Sequence, residues 1–494
     1  MTNERADALD FRAMEIDPSR PVPIYLQLKT LLIDGILERK FTADERLPTE
    51  HELCEIHGIS RNPVNRALSE LATEGVIIRH RRRGSFVNPH WLGRRNGDTE
   101  IRVVVPAYGP WEQLIRDAAD GVRLNIVRAP RDSLHRVLSH AVAEGQAPDF
   151  AVFDHVWAPE FAAAGFLHPL EDLDPQWVRR EHDVDFLASL AAADRYGGQT
   201  FGVSAFAEVA GLWYNKRKLR ALGLDSPTTW AELSAAAQAI RDAHPATPPL
   251  AMPGGTAGGE TTAYCLIGLL ASNGVNVIDD DGIGIGSAAS AQTLRFLRRL
   301  VTDECLPTAA VGYAWDRPIH LLADGQAAMT IGGTYEAETL AQRTGTGQPG
   351  VWDHFGFAPI PAGPQGEPAS VAGAMIFAVF RQAEQPKEAM RLIARAVAPE
   401  ALAAAARRHG RVPSRRSAIA LAGANVPILE KTAAILEGAV TRPWIPLYSR
   451  VSSQLQSMLE SVLTGRTGPV PAAQHTAAMI AAITGLPTHE PTRV

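Results

Sequence analysis

The sequence predicts a multidomain protein in which a small N-terminal α+β winged helix-turn-helix domain precedes a two-lobed α/β region. A chain of 494 residues is too long for one core, because domains commonly contain about 100 to 200 residues. Amphipathic patterns in the first ninety residues indicate three short helices and a hairpin. Beyond residue 100, short apolar strands alternate with helical stretches, which is typical of parallel sheets covered by helices.

The helix-turn-helix is predicted from helical spacing and from cap signals. The first helix follows from five apolar residues: Ile24, Leu28, Leu31, Leu32 and Ile36. Thr49 and Glu52 form a capping box that begins the second helix, and Ser60 is the expected N-cap of the third. Gly58 marks the turn between these two helices. The spacing is that of a helix-turn-helix.

A hairpin follows the third helix and is expected to form the wing. Residues 76–79 and 84–87 read as two short strands around a basic turn. Arg61 at the start of the third helix can present a bidentate fork to guanine, and Asn62 and Asn65 can pair with adenine. The arginines at 81–83 can neutralise phosphates or enter the minor groove. The first domain is therefore expected to bind duplex DNA.

Three motifs in this domain resemble the DNA-binding domain of the GntR family of bacterial repressors. They are Arg46-Leu-Pro-Thr-Glu50, Ile59-Ser-Arg-Asn-Pro-Val-Asn-Arg-Ala-Leu68 and Arg83-Gly-Ser-Phe-Val87, in the family's order. The resemblance covers about residues 20 to 90. It implies phosphate contacts near Arg46 and Thr49, base reading around Arg61, and a wing-tip glycine near the minor groove.

The predicted DNA-binding residues are Arg46, Thr49, Ser60, Arg61, Asn62, Asn65, Arg66, Arg81, Arg82, Arg83, Gly84 and Ser85. Two positions depart from the family pattern. Pro63, Val64 and Asn65 stand where the family usually has Thr followed by Val-Arg, and Arg82 stands where a glycine is common. The operator sequence therefore cannot be transferred from the family.

The predicted organisation has a tail at 1–19, the DNA-binding domain at 20–90, a polar linker at 91–99, a ligand-sensing domain at 100–487 and a tail at 488–494. Trp91 and Leu92 are expected to pack on the first lobe. The α/β pattern predicts strands at 101–105, 124–127, 150–153 and 201–203, and helices near 111–120, 132–144, 158–164, 228–243, 289–302 and 386–407.

Six stretches of the second region resemble the extracellular solute-binding proteins of ABC sugar importers, in the maltose-type cluster. They are residues 148–170, Leu212-Trp-Tyr-Asn-Lys216, Thr229-Trp-Ala-Glu-Leu233, residues 324–333, Gly410-Arg-Val-Pro-Ser414 and the tail that begins at Arg442-Pro-Trp. The resemblance spans about residues 100 to 487. It implies a periplasmic-binding-protein-like (type II) fold in which two lobes close on a ligand around a hinge. A DNA-binding domain stands where that family has a secretion signal.

Sugar recognition requires aromatic faces for stacking and planar polar groups for hydrogen bonds to vicinal hydroxyls. Positions in the loops after strands predict eight ligand-binding residues: Trp111, Asp154, Trp157, Glu260, Trp315, Gly333, Tyr335 and Gly373. The two glycines are expected to allow close approach of the backbone to the ligand.

The sequence favours a regulator over an enzyme, with no cofactor and no metal. The stretch Gly254-Gly-Thr-Ala-Gly-Gly259 lacks the Gly-Lys-Ser/Thr of a phosphate-binding loop, and no zinc-binding His-Glu-x-x-His occurs. Two alternatives remain: a GntR-type fusion to a pyridoxal-phosphate aminotransferase-like domain, and a solute-binding component of an ABC importer. We expect a cytoplasmic homodimer, without membrane attachment, that binds a double-stranded DNA operator with an inverted repeat and takes a sugar as effector.

Overall fold

The computed structural model describes residues 16–17, 23–38, 40–41, 46–80, 83–89, 91, 100–423 and 426–489. The N-terminal domain contains helices α1 (Ile24–Leu37), α2 (Glu50–His57) and α3 (Arg61–Thr73), followed by the hairpin strands β1 (Ile77–His80) and β2 (Gly84–Val87). The two strands are antiparallel, with Ile77 opposite Val87. This is the predicted winged helix-turn-helix.

The capping box that begins α2 is present. The Thr49 hydroxyl accepts a hydrogen bond from the Glu52 amide at 3.2 Å, and the Glu52 carboxylate accepts one from the Thr49 amide at 2.7 Å. Gly58 ends the helix with a φ of 62°, a left-handed conformation that suits glycine. Ser60 occupies the N-cap of α3 but makes no side-chain capping bond, in contrast to the prediction.

The elements of the larger region begin with β3 (Glu100–Pro106), α4 (Trp111–Asp117), β4 (Arg123–Ala129), α5 (Leu134–Ala143), β5 (Phe150–Asp154), α6 (Ala158–Ala163), α7 (Ala188–Ala193), β6 (Arg195–Tyr196), β7 (Gln199–Thr200), β8 (Val203–Asn215), α8 (Lys216–Ala221), α9 (Trp230–Ala243), β9 (Leu250–Ala251), α10 (Glu260–Ala271), β10 (Ile278–Asp279), β11 (Gly282–Ile283) and α11 (Ala288–Thr302). Residues 175–185 form a short irregular helical segment between α6 and α7.

The remaining elements are α12 (Arg317–Ala323), β12 (Met329–Gly333), α13 (Ala337–Thr344), α14 (Gly347–His354), β13 (Phe355–Ala358), β14 (Ala372–Val379), α15 (Pro386–Ala396), α16 (Pro399–His409), β15 (Val412–Pro413), α17 (Arg416–Ala422), α18 (Pro427–Glu437), α19 (Tyr448–Leu463) and α20 (Pro469–Thr484). None of the described helices combines the length and the apolar character needed to cross a lipid bilayer.

The main sheet has the strand order β4-β3-β5-β14-β8-β12-β9, and β13 and β15 also pair with β8. Strands β4, β3 and β5 are parallel, whereas β14 runs antiparallel to both β5 and β8. The sheet is therefore mixed, in contrast to the parallel sheets that the sequence predicts, because β14 and β12 both pair antiparallel with β8.

Strand β8 is shared by the two lobes. Its residues 203–209 pair with β14, and its residues 210–214 pair with β12. We define the first lobe by β3, β4, β5, β14 and the first half of β8, and the second lobe by β9, β12, β13 and the second half of β8. The predicted two-lobed α/β fold is confirmed.

Two predicted elements differ from the structure. The helix expected over 386–407 is two helices, α15 and α16, because Pro399 begins a new helix where its missing N–H costs nothing. The strand expected at 201–203 begins at Val203 and continues for 13 residues.

The apolar core of the winged-helix domain continues into the first lobe. Buried residues of both form one cluster, and a second cluster fills the second lobe. Trp91 joins the two parts as predicted: it is 5% exposed, and its indole N–H donates to the Arg128 carbonyl at 3.1 Å. Leu92 lies outside the described residues.

Candidate ligand cavity and DNA-reading surface

A cavity of about 510 Å³ lies in the cleft between the two lobes. The first lobe contributes Ala107, Tyr108, Arg131, Asp132, Leu134, His135, Asp154, Trp157 and Met375 to its wall. The second lobe contributes Thr256, Ala257, Gly258, Gly259, Glu260, Ala314, Trp315 and Asp316. Residues of the winged-helix domain complete the lining: Tyr25, Leu26, Lys29, Thr30, Arg66, Glu70 and Glu74.

The first lobe places three polar side chains at the carboxyl ends of its parallel strands. Tyr108 follows β3, Arg131 follows β4, and Asp154 is the last residue of β5. These ends meet at one edge of the sheet, which is where open α/β sheets bind ligands.

Arg131 lies among aromatic rings from both lobes. Its guanidinium donates to the Tyr108 hydroxyl at 2.6 Å. The guanidinium carbon is 5.0 Å from the ring centres of Tyr108 and Trp315 and 5.3 Å from that of Tyr335. Burial raises the pKa of Tyr108 to about 12, so its hydroxyl stays protonated at neutral pH. The cavity therefore offers aromatic faces, a phenol and a fixed positive charge at one place.

Arg442 joins the two lobes behind the cavity through two carboxylates. Its guanidinium donates to both oxygens of Asp154, at 2.8 and 3.1 Å, and to Glu260 at 2.8 Å. The Tyr448 and Ser452 hydroxyls each donate to Glu260 at 2.6 Å. Arg442 is only 4% exposed, so this network is buried. Hydrogen bonds to three donors hold Glu260 in place at the cavity wall.

The network shifts the pKa values of its two carboxyl groups in opposite directions. Burial alone would raise the pKa of Asp154, but the groups around it, with Arg442 foremost, together hold that pKa below its ordinary value. Burial raises the pKa of Glu260, and Arg442 only partly offsets the increase.

His155 lies next to this network and is neutral at pH 7. Burial, followed by the nearby Arg442 charge, lowers its pKa to about 4. Its Nδ1 lies 3.0 Å from both the amide nitrogen and the carbonyl oxygen of Ala374.

We expect His155 to make the fold acid-sensitive. The pKa of His155 is about 4 in the folded protein and 6.5 in the unfolded chain. The stability that neutral His155 contributes to the fold is therefore complete above pH 6.5 and is lost as the pH falls towards 4. Urea unfolding at pH 7.5 and pH 5 should show a loss of about 2 kcal/mol at the lower pH. His155→Asn, whose side-chain oxygen can accept the same amide, should flatten this dependence. His51→Asn on the exposed surface of α2 should not, and an equal change in both variants would contradict the assignment.

Four of the eight predicted ligand residues line the cavity: Asp154, Trp157, Glu260 and Trp315. The other four do not. Tyr335 lies behind it, with its ring towards Arg131. Gly333 lies against the Tyr335 ring, and Gly373 lies beside Tyr264 and Arg442, so each allows close packing of a side chain and not of a ligand.

Trp111 lies in the hydrophobic core, in contrast to the prediction. It is fully buried, and its ring is 5.7 Å from that of Phe206 and 6.2 Å from that of Phe377. As the first residue of α4, it points into the first lobe below the sheet edge.

Sequence reasoning missed Tyr108, Arg131 and Arg442. The first two could have been found, because Tyr108 and Arg131 follow the ends of the predicted strands 101–105 and 124–127 by three and four residues. Arg442 could not, because it is 288 residues from Asp154 and only the folded chain brings them together.

The predicted DNA-reading residues at the start of α3 form an exposed surface. Arg61, Asn62 and Asn65 are all exposed, as is Ser60 before them. Arg79, which sequence reasoning missed, lies beside this surface: it donates to Asn65 at 3.3 Å and to Glu50 at 2.5 Å.

The remaining predicted DNA contacts have different environments. Arg46 and Arg83 are exposed, and Gly84 at the wing has a φ of 102°. Thr49 is engaged in capping α2. Ser85 is buried, because alternate residues of β2 face the core. Arg81 and Arg82 lie outside the described residues.

Arg66 is part of the cavity lining. Its guanidinium carbon lies 3.6 Å from the centre of the Tyr25 ring, and its Nε donates to Glu70 at 3.0 Å. Its side chain is 59% exposed and follows Asn62 by one helical turn, so a role of Arg66 in DNA binding stays a prediction.

Two family profiles match the sequence. That of the bacterial extracellular solute-binding proteins matches residues 104–403, and that of the gntR family of bacterial regulatory proteins matches residues 24–87. A binding protein of Brucella abortus (strain 2308) is 21% identical over 392 residues, which cover 75% of this chain and 90% of the relative. The HTH-type transcriptional repressor NagR of Bacillus subtilis is 41% identical over 75 residues, 15% of this chain and 31% of the repressor.

Solved structures show the same fold for the larger region. A solute-binding protein of Thermotoga lettingae TMO bound with α-D-tagatose superposes with a TM-score of 0.71 at 23% identity, covering 78% of this chain and 99% of that one. Maltose-bound MalE3 of T. maritima gives 0.69 at 22% identity with the same coverage.

Proposed function

We propose, since the chain belongs to the bacterial extracellular solute-binding protein family and carries a gntR-family domain ahead of it, that it is a cytoplasmic transcription repressor that senses a sugar. One observation carries the proposal: the same chain has an exposed surface at the start of α3, where Arg61 lies, and a cavity between two lobes. No chemical step is needed for this role, and the protein is not an enzyme in this proposal.

The chemistry of the cavity supports a sugar as effector. Trp157 and Trp315 present aromatic rings for the apolar faces of a pyranose or furanose. Asp154 and Glu260 present carboxylate oxygens for hydroxyl groups. Structurally similar proteins bind α-D-tagatose and maltose, which is consistent with this class of ligand.

A thermal-shift screen of the full chain tests sugar sensing directly. The panel is α-D-tagatose, maltose, maltotriose and further mono- and oligosaccharides. A sugar at 100 times its dissociation constant should stabilise the protein by about 2.7 kcal/mol. A panel in which no saccharide raises the melting temperature would contradict the proposal.

We propose that the repressor acts as a homodimer on an inverted repeat. One winged helix reads too few base pairs to select a genomic site, and a two-fold symmetric dimer doubles the sequence it reads. Selection from randomised duplexes should therefore yield two half-sites, and full affinity for an isolated half-site would contradict this arrangement.

Arg61→Ala and Arg83→Ala should affect DNA binding in different ways. Arg61 is the first residue of α3, so its loss should cost about 1–3 kcal/mol of binding free energy at one base pair and should relax the base preference at that pair. Arg83 at the wing should act on phosphates, so its loss should weaken binding to all duplexes alike and reduce the salt slope by about 1. Titrations of selected and scrambled duplexes at several salt concentrations separate the two roles. Equal loss of specificity in both variants would refute them.

A further inference from the structure

The winged-helix domain forms part of the wall of the ligand cavity. Tyr25 and Lys29 of α1 line the same cavity as Trp157 and Trp315 of the lobes. So do Arg66 and Glu70 of α3 and Glu74, which follows that helix. The DNA-binding domain is therefore not a separate module held at a distance by the linker.

Specific contacts hold the domain on the first lobe. The Arg136 guanidinium on α5 pairs with Asp34 on α1, with Nε to Oδ1 at 2.9 Å. The Trp91 indole donates to the Arg128 carbonyl at the end of β4.

Charge complementarity continues this contact into the cavity. Lys29 is 5% exposed, and its ammonium lies 2.7 Å from Glu74 and 3.3 Å from Glu70. Burial lowers the pKa of Lys29, but the charges of Asp132 on the first lobe and of Glu74 outweigh that effect and hold the pKa above its ordinary value. Lys29 thus faces carboxylates from both domains.

Helix α3 carries two functional faces on one rigid element. Its first turns expose Arg61, Asn62 and Asn65, and its later turns place Glu70 against Lys29 at the cavity, followed by Glu74 directly after the helix. A 13-residue helix moves as a unit, so a change at one end displaces the other.

We infer that the winged-helix domain is the third wall of the sugar site, with Arg66 and Tyr25 in contact with the bound sugar, and that α3 couples sugar binding to DNA binding. The inference rests on the proposed function and specifies the regulation of the same site. A sugar that fits only when the domain is docked favours the docked position of α3. If DNA prefers that same position, the sugar raises the affinity for DNA, and by linkage DNA raises the affinity for the sugar by an equal factor.

Docking is tested in the full chain without any ligand. In Asp34→Arg, two positive charges oppose each other at the interface. Hydrogen exchange of α1 and of residues 131–136 should become about 5-fold faster or more. The charge-swapped double variant Asp34→Arg/Arg136→Asp should restore protection. Asp324→Arg, which breaks an exposed pair with Arg343 on the second lobe, is the matched control and should leave both segments unchanged. Unchanged exchange in Asp34→Arg would overturn the inference.

The third wall is tested by calorimetric titration of the full chain with α-D-tagatose, maltose and maltotriose. Arg66→Ala should weaken the tightest of the three by about 10-fold, because a stacked guanidinium at the wall is lost. The matched control is Arg391→Ala, whose side chain is 65% exposed against 59% for Arg66 and also pairs within its own helix. Equal affinity of wild type and Arg66→Ala would overturn the inference. If no saccharide of the thermal-shift panel binds wild type, the proposed sugar class fails, and the exchange experiment still decides whether the domain docks.

Discussion

Replacing Arg442 by alanine is expected to lower the free energy of unfolding by about 3–5 kcal/mol, as removal of one partner from a buried ion pair does. Arg442 compensates both Asp154 and Glu260, one from each lobe, and the three side chains are 3%, 11% and 13% exposed. Without it, two buried carboxylates face each other and must either take up protons or draw in water. Urea unfolding at pH 7 measures the loss.

The control is Arg343→Ala, which breaks the exposed pair with Asp324 and should cost less than about 1 kcal/mol. The buried charge itself is tested by adding Asp154→Asn and Glu260→Gln to Arg442→Met. This triple variant has no ionic group left uncompensated and should recover much of the lost stability. If Arg442→Ala lowered the free energy of unfolding by no more than Arg343→Ala does, the Arg442 network would not act as a buried ion pair. The assignment of Arg442 as a stabilising contact between the lobes would then be wrong.

Trp111→Ala and Trp315→Ala should separate stability from sugar binding. Trp111 packs on Phe206 and Phe377 inside the first lobe, so its removal should cost about 3–5 kcal/mol of stability. Trp315 lies half-buried at the cavity, so its removal should change stability little and should weaken sugar binding by at least about 10-fold.

Both variants are measured by urea unfolding and by titration with the sugar that gives the largest thermal shift. Because Trp111→Ala is at risk of unfolding, Trp111→Phe provides a folded variant that keeps part of the packing. Wild-type sugar affinity in Trp111→Phe, together with wild-type stability in Trp315→Ala, is the expected result. Loss of sugar affinity in Trp111→Phe at unchanged stability would return Trp111 to the ligand site.

The sequence predicts those parts of the fold that depend on neighbouring residues. Residues within a few positions of each other predict the capping box of Thr49 and Glu52 and the turn at Gly58. They also predict most of the helices before residue 380. They do not predict the direction of β14, because its partners β5 and β8 lie far away along the chain. Pro399 could have divided the long predicted helix, since proline is favoured at the first helical position.

The candidate site divides in the same way. Asp154, Trp157 and Trp315 follow local signals of strands and loops, and the cavity includes them. An aromatic residue after a strand can equally be buried, as Trp111 is, because which face of a short helix is covered depends on packing. The orientation of Arg66 depends on where the whole winged-helix domain docks, which no pattern within residues 20–90 contains.

The shared strand β8 has a consequence for how the protein unfolds. Only half of this strand belongs to each lobe, and the two halves follow each other without a break in one extended backbone. If the second lobe melted, residues 210–214 would lose their partners and the order of 203–209 would be weakened at the same time. The lobes are therefore expected to share one cooperative transition, although they have separate cores.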